Sequence, residues 1–201
     1  MRDPENIREI AALQPDMMGF IFYAPSPRYI GKSALEKVLG LVSSKTSKVA
    51  VFVNEKTEEV VRICKKYGFT YAQLHGDESV AYCKSIKKEG IGVIKAIPVA
   101  EEVEFNSLKD YEPWVDLFLF DTKTKGYGGS GKQFDRNLLG DYPLSTPYFL
   151  SGGIGEADTE AILEASLPGC AGIDANSRLE VEPGLKNIQA AAGLINQIRK
   201  R

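Results

Sequence analysis

Cysteine is scarce in this chain: Cys64, Cys83 and Cys170 are the only three in 201 residues. They are odd in number and lack metal-site spacing, which argues against a disulfide framework and a thiolate metal site. Reduced thiols in a cytoplasmic protein are the simplest reading. Charge of one sign is also lacking. Lys and Arg total 25 against 27 Asp and Glu, giving a net charge of −2 with the cations dispersed. Neither a nucleic-acid face nor an electrostatic membrane surface is expected of such a chain. No apolar run approaches the roughly 20 residues of a membrane span. The opening MRDPENIREIAAL is acidic and helical in period, unlike a secretory signal.

What is present suits one ordinary globular domain over residues 1–201, with 43% apolar and 26% charged residues. Short apolar runs rich in β-formers recur at 17–23, 48–53, 71–76, 92–99, 117–122, 148–153 and 171–177. Most are continuous rather than alternating, as expected of parallel strands buried on both faces. Helical patterns lie between them: SALEKVLGLVSS, TEEVVRICKKYG, ESVAYCKSIKKEG, EEVEFNSLKDY, FDRNLLGDY and EADTEAILEAS, with GLKNIQAAAGLINQIRKR last. Ser33, the segment 54–57 and Asp77 before Glu78 read as helix starts, and Gly68 and Gly90 as stops. With the opening helix, the reading gives eight helices but seven strands. An open doubly wound sheet normally carries its phosphate glycines after its first strand, whereas here they come late. The expectation is therefore α/β, a (β/α)8 TIM barrel whose first strand is missing from the chain. The two strands beside the gap would then expose unpaired edges, lowering stability unless association covers them.

In such barrels the chemistry gathers at the C-terminal ends of the strands. LFLFD closes an apolar strand with Asp121, placed to act as an acid or, alternatively, to cap a helix or pair with Lys123 or Lys125. Gly126, Gly128, Gly129 and Gly131 follow in a long loop that reads as a lid or as a plain connection. SGGIGEAD offers Gly152 and Gly153 at a helix start, where backbone N–H groups can meet a phosphate. Asp174 closes the last strand, with Asn176 and Ser177 just beyond as further donors. APSPRYI presents Arg28, either a bidentate carboxylate clamp or a solvated arginine. The only histidine, His75 in QLHG, reads as a substrate contact, an acid or base, or a packed residue capping the helix after Asp77.

Taken in order, GFIFYAPSPRYI, VAVFVNE, YAQLHGDES, LFLFDTKTKGYGGSGKQFD, LSGGI and GIDANSRLEVEPGLKN resemble the phosphoribosylanthranilate isomerase family of tryptophan biosynthesis. Each string is weak alone, but the set is specific and spans essentially the whole chain. The resemblance implies a (β/α)8 barrel and an Amadori rearrangement of N-(5-phosphoribosyl)anthranilate without cofactor or metal. An acid opens the furanose by protonating its ring oxygen, and a base removes the C2 proton from the resulting Schiff base. The acid falls on Asp121, the anthranilate-carboxylate contact on Arg28, and the phosphate site on Gly152, Gly153, Asn176 and Ser177. His75 and Asp174 match positions that line the site.

The family's base is a cysteine in a K-x-C-G string ending its first strand. That string stands directly before the residues matching MRDPENI and is missing here. By the same resemblance none of Cys64, Cys83 or Cys170 can replace it, so the expected activity of this chain is weak. Phe-Asp-Arg stands where Phe-Asp-Trp is commoner, and Arg178 follows Ser177 where glycine is usual. A non-catalytic phosphate or anthranilate binder and another phosphosugar isomerase of the same fold are the alternatives. The implied partner is a small phosphorylated molecule. The oligomeric state is not legible.

Overall fold

The N-terminal segment forms a helix because its first turn is capped and its apolar residues share one side. In α1 (Pro4–Ala12), the Asp3 carboxylate accepts from Asn6 N at 2.8 Å and Pro4 stands in the first turn, where a missing N–H costs nothing. Ile7, Ile10 and Ala11 are buried on the side that meets the rest of the protein. The structure is a computed structural model that describes residues 1–123 and 133–200, the side chains of Lys32 and Ser33 excepted. The glycine-rich loop read as a lid, with Lys125, therefore lies outside the described residues.

Seven parallel strands follow: β1 (Met17–Ile21), β2 (Ser47–Phe52), β3 (Tyr71–Leu74), β4 (Gly92–Val99), β5 (Leu117–Thr122), β6 (Tyr148–Leu150) and β7 (Cys170–Ile173). They pair in sequence order, each with the next. Alternating side chains make two apolar layers. Phe20, Phe52, Leu74, Val93, Phe118, Phe120 and Leu150 point towards the helices, whereas Val49, Val51, Ile94, Ala96, Leu117 and Leu119 fill the inside of the curl. This two-sided burial is why the strands read as continuous apolar runs.

The eightfold barrel expected from the sequence is not what this chain forms. Closure requires the first and last strands to exchange backbone hydrogen bonds. Here β1 pairs only with β2 and β7 only with β6, so the sheet is curled but open. The chain passes from α1 into β1 through residues 13–16, and among the described residues no strand lies between β7 and β1. Gly19 and Ala171, in the middle of these two edge strands, are exposed. The N- and C-terminal helices nevertheless meet beside this seam. Arg199, at the end of α7 (Ile188–Arg199), donates to the carbonyls of Leu13 and Gln14 at the end of α1.

The intervening helices are α2 (Lys32–Val38), α3 (Thr57–Tyr67), α4 (Val80–Lys88), a short α5 (Phe105–Leu108) and α6 (Thr159–Ala165). Gly68 stops α3 in the left-handed region at φ 64°, as its position suggested. Three local readings change. Ser79 rather than Asp77 caps α4, its side chain accepting from Tyr82 N. FDRNLLGDY yields only a 3-10 turn over Arg136–Leu139, too short a periodic stretch to propagate a helix. The last helix begins at Ile188, because the preceding residues form an antiparallel hairpin of β8 (Glu180–Glu182) and β9 (Leu185–Lys186), turned at Gly184.

Candidate active site

The residues that end the strands are held by the ladder itself. His75 N donates to Phe52 O at 2.9 Å, Ser151 N to Phe120 O at 2.8 Å, and Asp174 N to Leu150 O at 2.8 Å. Each backbone bond fixes the first residue beyond its strand, so the side chains there inherit the precision of the sheet. They surround a cavity of about 400 Å³ at the strand ends and along the seam. Its lining includes Arg28, His75, Asp121, Gly152, Gly153, Asp174, Asn176 and Ser177, so all eight residues singled out from the sequence meet there.

Asp121 is almost buried, and its carboxylate has two neighbours. Oδ2 lies 3.2 Å from His75 Nε2, and Oδ1 accepts from Thr122 N at 2.9 Å. Gln73 Nε2 lies 3.0 Å from His75 Nδ1. With Gln73 donating there, the neutral imidazole keeps its proton on Nε2 and donates to Asp121. His75 thus does not cap the helix after Asp77; it joins the cavity through Asp121. Lys123 is exposed and is not the partner of Asp121.

The loop behind His75 is set by a buried ion pair. Lys95 Nζ lies 3.0 Å from Glu78 Oε2 and 2.6 Å from Gly76 O, with the two side chains 5% and 1% exposed. Glu78 also accepts from the backbone N–H groups of Asn54 and Gly76. Position 76 admits only glycine, since a Cβ there would run into Asn54.

Asp174 is half-buried at the cavity wall and held above the usual carboxylate range, first by loss of solvent and next by the charge of Asp121. Ser151 Oγ donates to its Oδ2 at 3.2 Å. Gly152 and Gly153 both stand in the left-handed region, at φ 92° and 62°. A side chain at 152 would strike Thr122.

Arg28 is pinned in a folded-back loop. Tyr29 N donates to Ser26 O, and Ile30 N returns to Ile21 O at 2.9 Å, burying Ile30 completely. Its guanidinium is not a solvated one. Nε lies 3.0 and 2.9 Å from the two Glu180 oxygens, and Nη2 lies 2.6 Å from Oε2. Glu180 also accepts from Gly184 N at 3.1 Å and from Lys186 Nζ at 3.3 Å. Burial works against ionisation of Glu180, but Arg28 and Lys186 keep its carboxyl below its ordinary range. Lys186 in turn donates to Asn176 O and Oδ1 at 2.8 and 2.5 Å. Asn6 clamps the Lys186 backbone from both sides at 2.8 Å.

Glu180, Lys186, Gln73 and Asn6 escape a reading of strand ends. RLEVEPGLKN looks like any charged surface loop, and only folding shows the Glu180 and Lys186 side chains to be buried. Of the two sequence departures, neither arginine lines the cavity. Arg178 packs its Cβ over Gly155, and Arg136 lies 3.8 Å from Asp158. Asp158 is kept ionised below its ordinary range despite burial, through Gln133, Gly155 N–H and both arginines.

The thiols stand apart from this cavity. Cys64 and Cys83 are buried in α3 and α4, where loss of solvent pushes them up to about 12 and about 11. Cys170 opens β7, at the end of the strand remote from Asp174. No thiol lines the cavity among the described residues.

A family model described as "N-(5'phosphoribosyl)anthranilate (PRA) isomerase" matches residues 1–197. A protein named N-(5'-phosphoribosyl)anthranilate isomerase from Parabacteroides distasonis is 45% identical over 98% of this chain and 90% of its own. Another of that name from Phocaeicola vulgatus is 39% identical over 100% and 96%. The solved phosphoribosyl anthranilate isomerase of Thermotoga maritima superposes with a TM-score of 0.89 at 29% identity, covering 100% of this chain and 96% of that one. A crystal structure of such an isomerase in complex with reduced 1-(o-carboxyphenylamino)-1-deoxyribulose 5-phosphate superposes at 0.85 and 25% identity, with coverage of 100% and 96%. None of the described helices is long and apolar enough to cross a membrane. On these matches, which span nearly every residue, the chain belongs to the N-(5'-phosphoribosyl)anthranilate isomerase family.

Proposed function

We propose that this chain isomerises N-(5'-phosphoribosyl)anthranilate to 1-(2-carboxyphenylamino)-1-deoxyribulose 5-phosphate in the cytoplasm, as a step of tryptophan biosynthesis. One observation carries the reading. A hydrogen-bonded carboxyl, Asp121, shares a cavity with a guanidinium, Arg28, and with the glycine pair 152–153 beside Asn176 and Ser177. These groups match the three demands of the substrate: a proton for the ring oxygen, a cation for the anthranilate carboxylate and N–H donors for the phosphate. A cavity of about 400 Å³ is of the size that holds such a ligand.

Asp121 delivers the proton that opens the furanose, and His75 fixes the orientation of that carboxyl. Arg28 and the 152–153 and 176–177 loops hold the two ends of the substrate. The rearrangement breaks the ring C1–O bond, with the nitrogen lone pair forming C1=N as the ring oxygen takes a proton. It then shifts protons between C2, C1 and nitrogen. No external oxidant, reductant or group acceptor is needed, so we assign it no metal or cofactor. Because no thiol among the described residues faces Asp121, turnover by the 201-residue chain is weak.

Loss of anthranilate fluorescence during conversion tests the whole reading. Asp121→Asn lowers kcat by about a thousandfold while the reduced product analogue still binds. Turnover of the unaltered chain falls about a hundredfold below that of the Parabacteroides distasonis relative. Equal rates would sink the claim of weak activity. Analogue binding without any turnover would make the chain a binder of that ligand, not a catalyst.

A further inference from the structure

The anchors at the two ends of the cavity belong to different parts of the chain. Arg28 follows β1 and Asn176 follows β7, and these strands do not pair with each other. What joins the anchors is the hairpin Glu180–Lys186. Glu180 accepts from Arg28 through Nε and Nη2, and Lys186 bridges from Glu180 Oε1 to the carbonyl and side-chain oxygens of Asn176. The Glu180 side chain is 3% exposed, and those of Arg28 and Lys186 are 12% and 10%. So buried a carboxylate, saturated by two cations and by Gly184 N–H, has one low-energy position.

The geometry on Arg28 is specific. Glu180 takes the side edge of the guanidinium, Nε with Nη2. The outer edge, Nη1 with the second Nη2 hydrogen, is a separate fork of the same planar group. A guanidinium gripped along one edge is preorganised to receive a second carboxylate along the other, with its rotamer entropy already lost.

We propose that Glu180 is a positioning residue that, through Arg28 on one side and Lys186 on the other, fixes the spacing between the carboxylate anchor and the phosphate anchor. It thereby selects ligands that are anionic at both ends. This rests on the assignment of Arg28 and Asn176–Ser177 made above. Glu180 makes no contact with the reacting atoms. Its effect falls on KM and on the affinity for two-ended ligands, and only slightly on kcat.

The test compares two ligands, reduced 1-(2-carboxyphenylamino)-1-deoxyribulose 5-phosphate with both anions and ribose 5-phosphate with one, by titration calorimetry. Glu180→Gln keeps the shape and removes the charge. It weakens the two-ended ligand about tenfold and ribose 5-phosphate by less than about twofold. Lys186→Met shows the same asymmetry and guards against a fold defect peculiar to the first variant. Arg28→Met/Glu180→Gln weakens the two-ended ligand by less than the two single effects multiplied, because the part of the Glu180 effect that passes through Arg28 is already lost.

If Arg28→Met weakens the two-ended ligand but Glu180→Gln does not, the positioning role is overturned and the site assignment stands. Equal weakening of both ligands by Glu180→Gln would mark a merely structural residue and likewise overturn it. If Arg28→Met binds both ligands as the unaltered chain does, the carboxylate anchor is wrong and the proposal falls with it.

Discussion

The two sides of the cavity are built by different means. On the acid side, β3, β4 and β5 are paired along both edges, and β4 matches β5 over six residues, Ile94–Val99 against Leu117–Thr122. Asp121 and His75 stand on that frame and are joined by one hydrogen bond, with Gln73 and Thr122 N–H, from the same strands, on their other polar atoms. On the anchor side, β1 and β7 are paired along one edge each, and Arg28, Asn176 and Ser177 follow them. There the positions are set by buried charges and amides: Arg28 to Glu180, Glu180 to Lys186, Lys186 to Asn176, and Asn6 to the Lys186 backbone. A backbone ladder places groups without introducing charge, whereas a seam without a ladder must use charges whose partners are obligatory. Damage to the acid side should therefore register as lost stability or lost rate, and damage to the anchor side as lost affinity.

The largest effect that would sharpen this contrast concerns Glu78 and Lys95, a buried ion pair on the acid side. Removing one member strands the other charge. Glu78→Ala should cost about 3–5 kcal/mol in urea unfolding. Glu78→Leu with Lys95→Met should recover most of that, since a matched apolar pair leaves no orphan. If the single variant lost little stability, the loop behind His75 would owe its position to the sheet alone, and the ion pair would be incidental.

A smaller effect belongs to Gln73. Its amide determines which imidazole nitrogen of His75 carries the proton, and so whether His75 donates to Asp121. Gln73→Leu should lower kcat about fivefold, the worth of one hydrogen bond of about 1 kcal/mol, with KM nearly unchanged. A change confined to KM would move His75 from the acid to the substrate, and the two sides of the cavity would no longer divide rate from affinity.

Legibility in the sequence follows the same division. The seven strands could be read because burial on both faces makes each a continuous apolar run, as in LFLF at 117–120. The residues that meet at the cavity could be singled out because strand ends are where a parallel α/β sheet exposes polar groups, and Asp121, His75 and Asp174 all stand there. The barrel was the wrong expectation. One strand per helix gave an eightfold barrel lacking its first strand, with exposed edges beside the gap. The seven strands and the open edges of β1 and β7 are there, but the described sheet is curled and open rather than a barrel. The hairpin was hidden for another reason. Glu180 and Lys186 acquire meaning only from burial, and a Glu and a Lys six residues apart in a Pro-Gly loop otherwise look solvated. The 3-10 turn at Arg136–Leu139 shows that a short helical period without long-range support does not propagate.

Asp174 lies where the two sides meet, accepting from Ser151 and sensing both Asp121 and Lys186, so it reports which side governs the junction. Burial and the Asp121 charge favour its neutral form, and these outweigh the opposing pull of Lys186, Ser151 and His75. A carboxyl raised in the folded state stabilises the fold fully below its unfolded pKa, and loses that contribution as pH rises through the folded value. Asn is neutral at every pH and nearly the same shape. Asp174→Asn should therefore be more stable than the unaltered chain at neutral pH, with the gap closing as pH falls from the raised folded value of Asp174 down to the ordinary carboxylate range. Urea unfolding at a series of pH values measures this directly. If the variant is instead the less stable at neutral pH, with a deficit that shrinks on acidification, Asp174 is held charged by Lys186. The cation network of the seam would then reach across to the acid side, and the division between ladder and charge would end one residue earlier than the geometry places it.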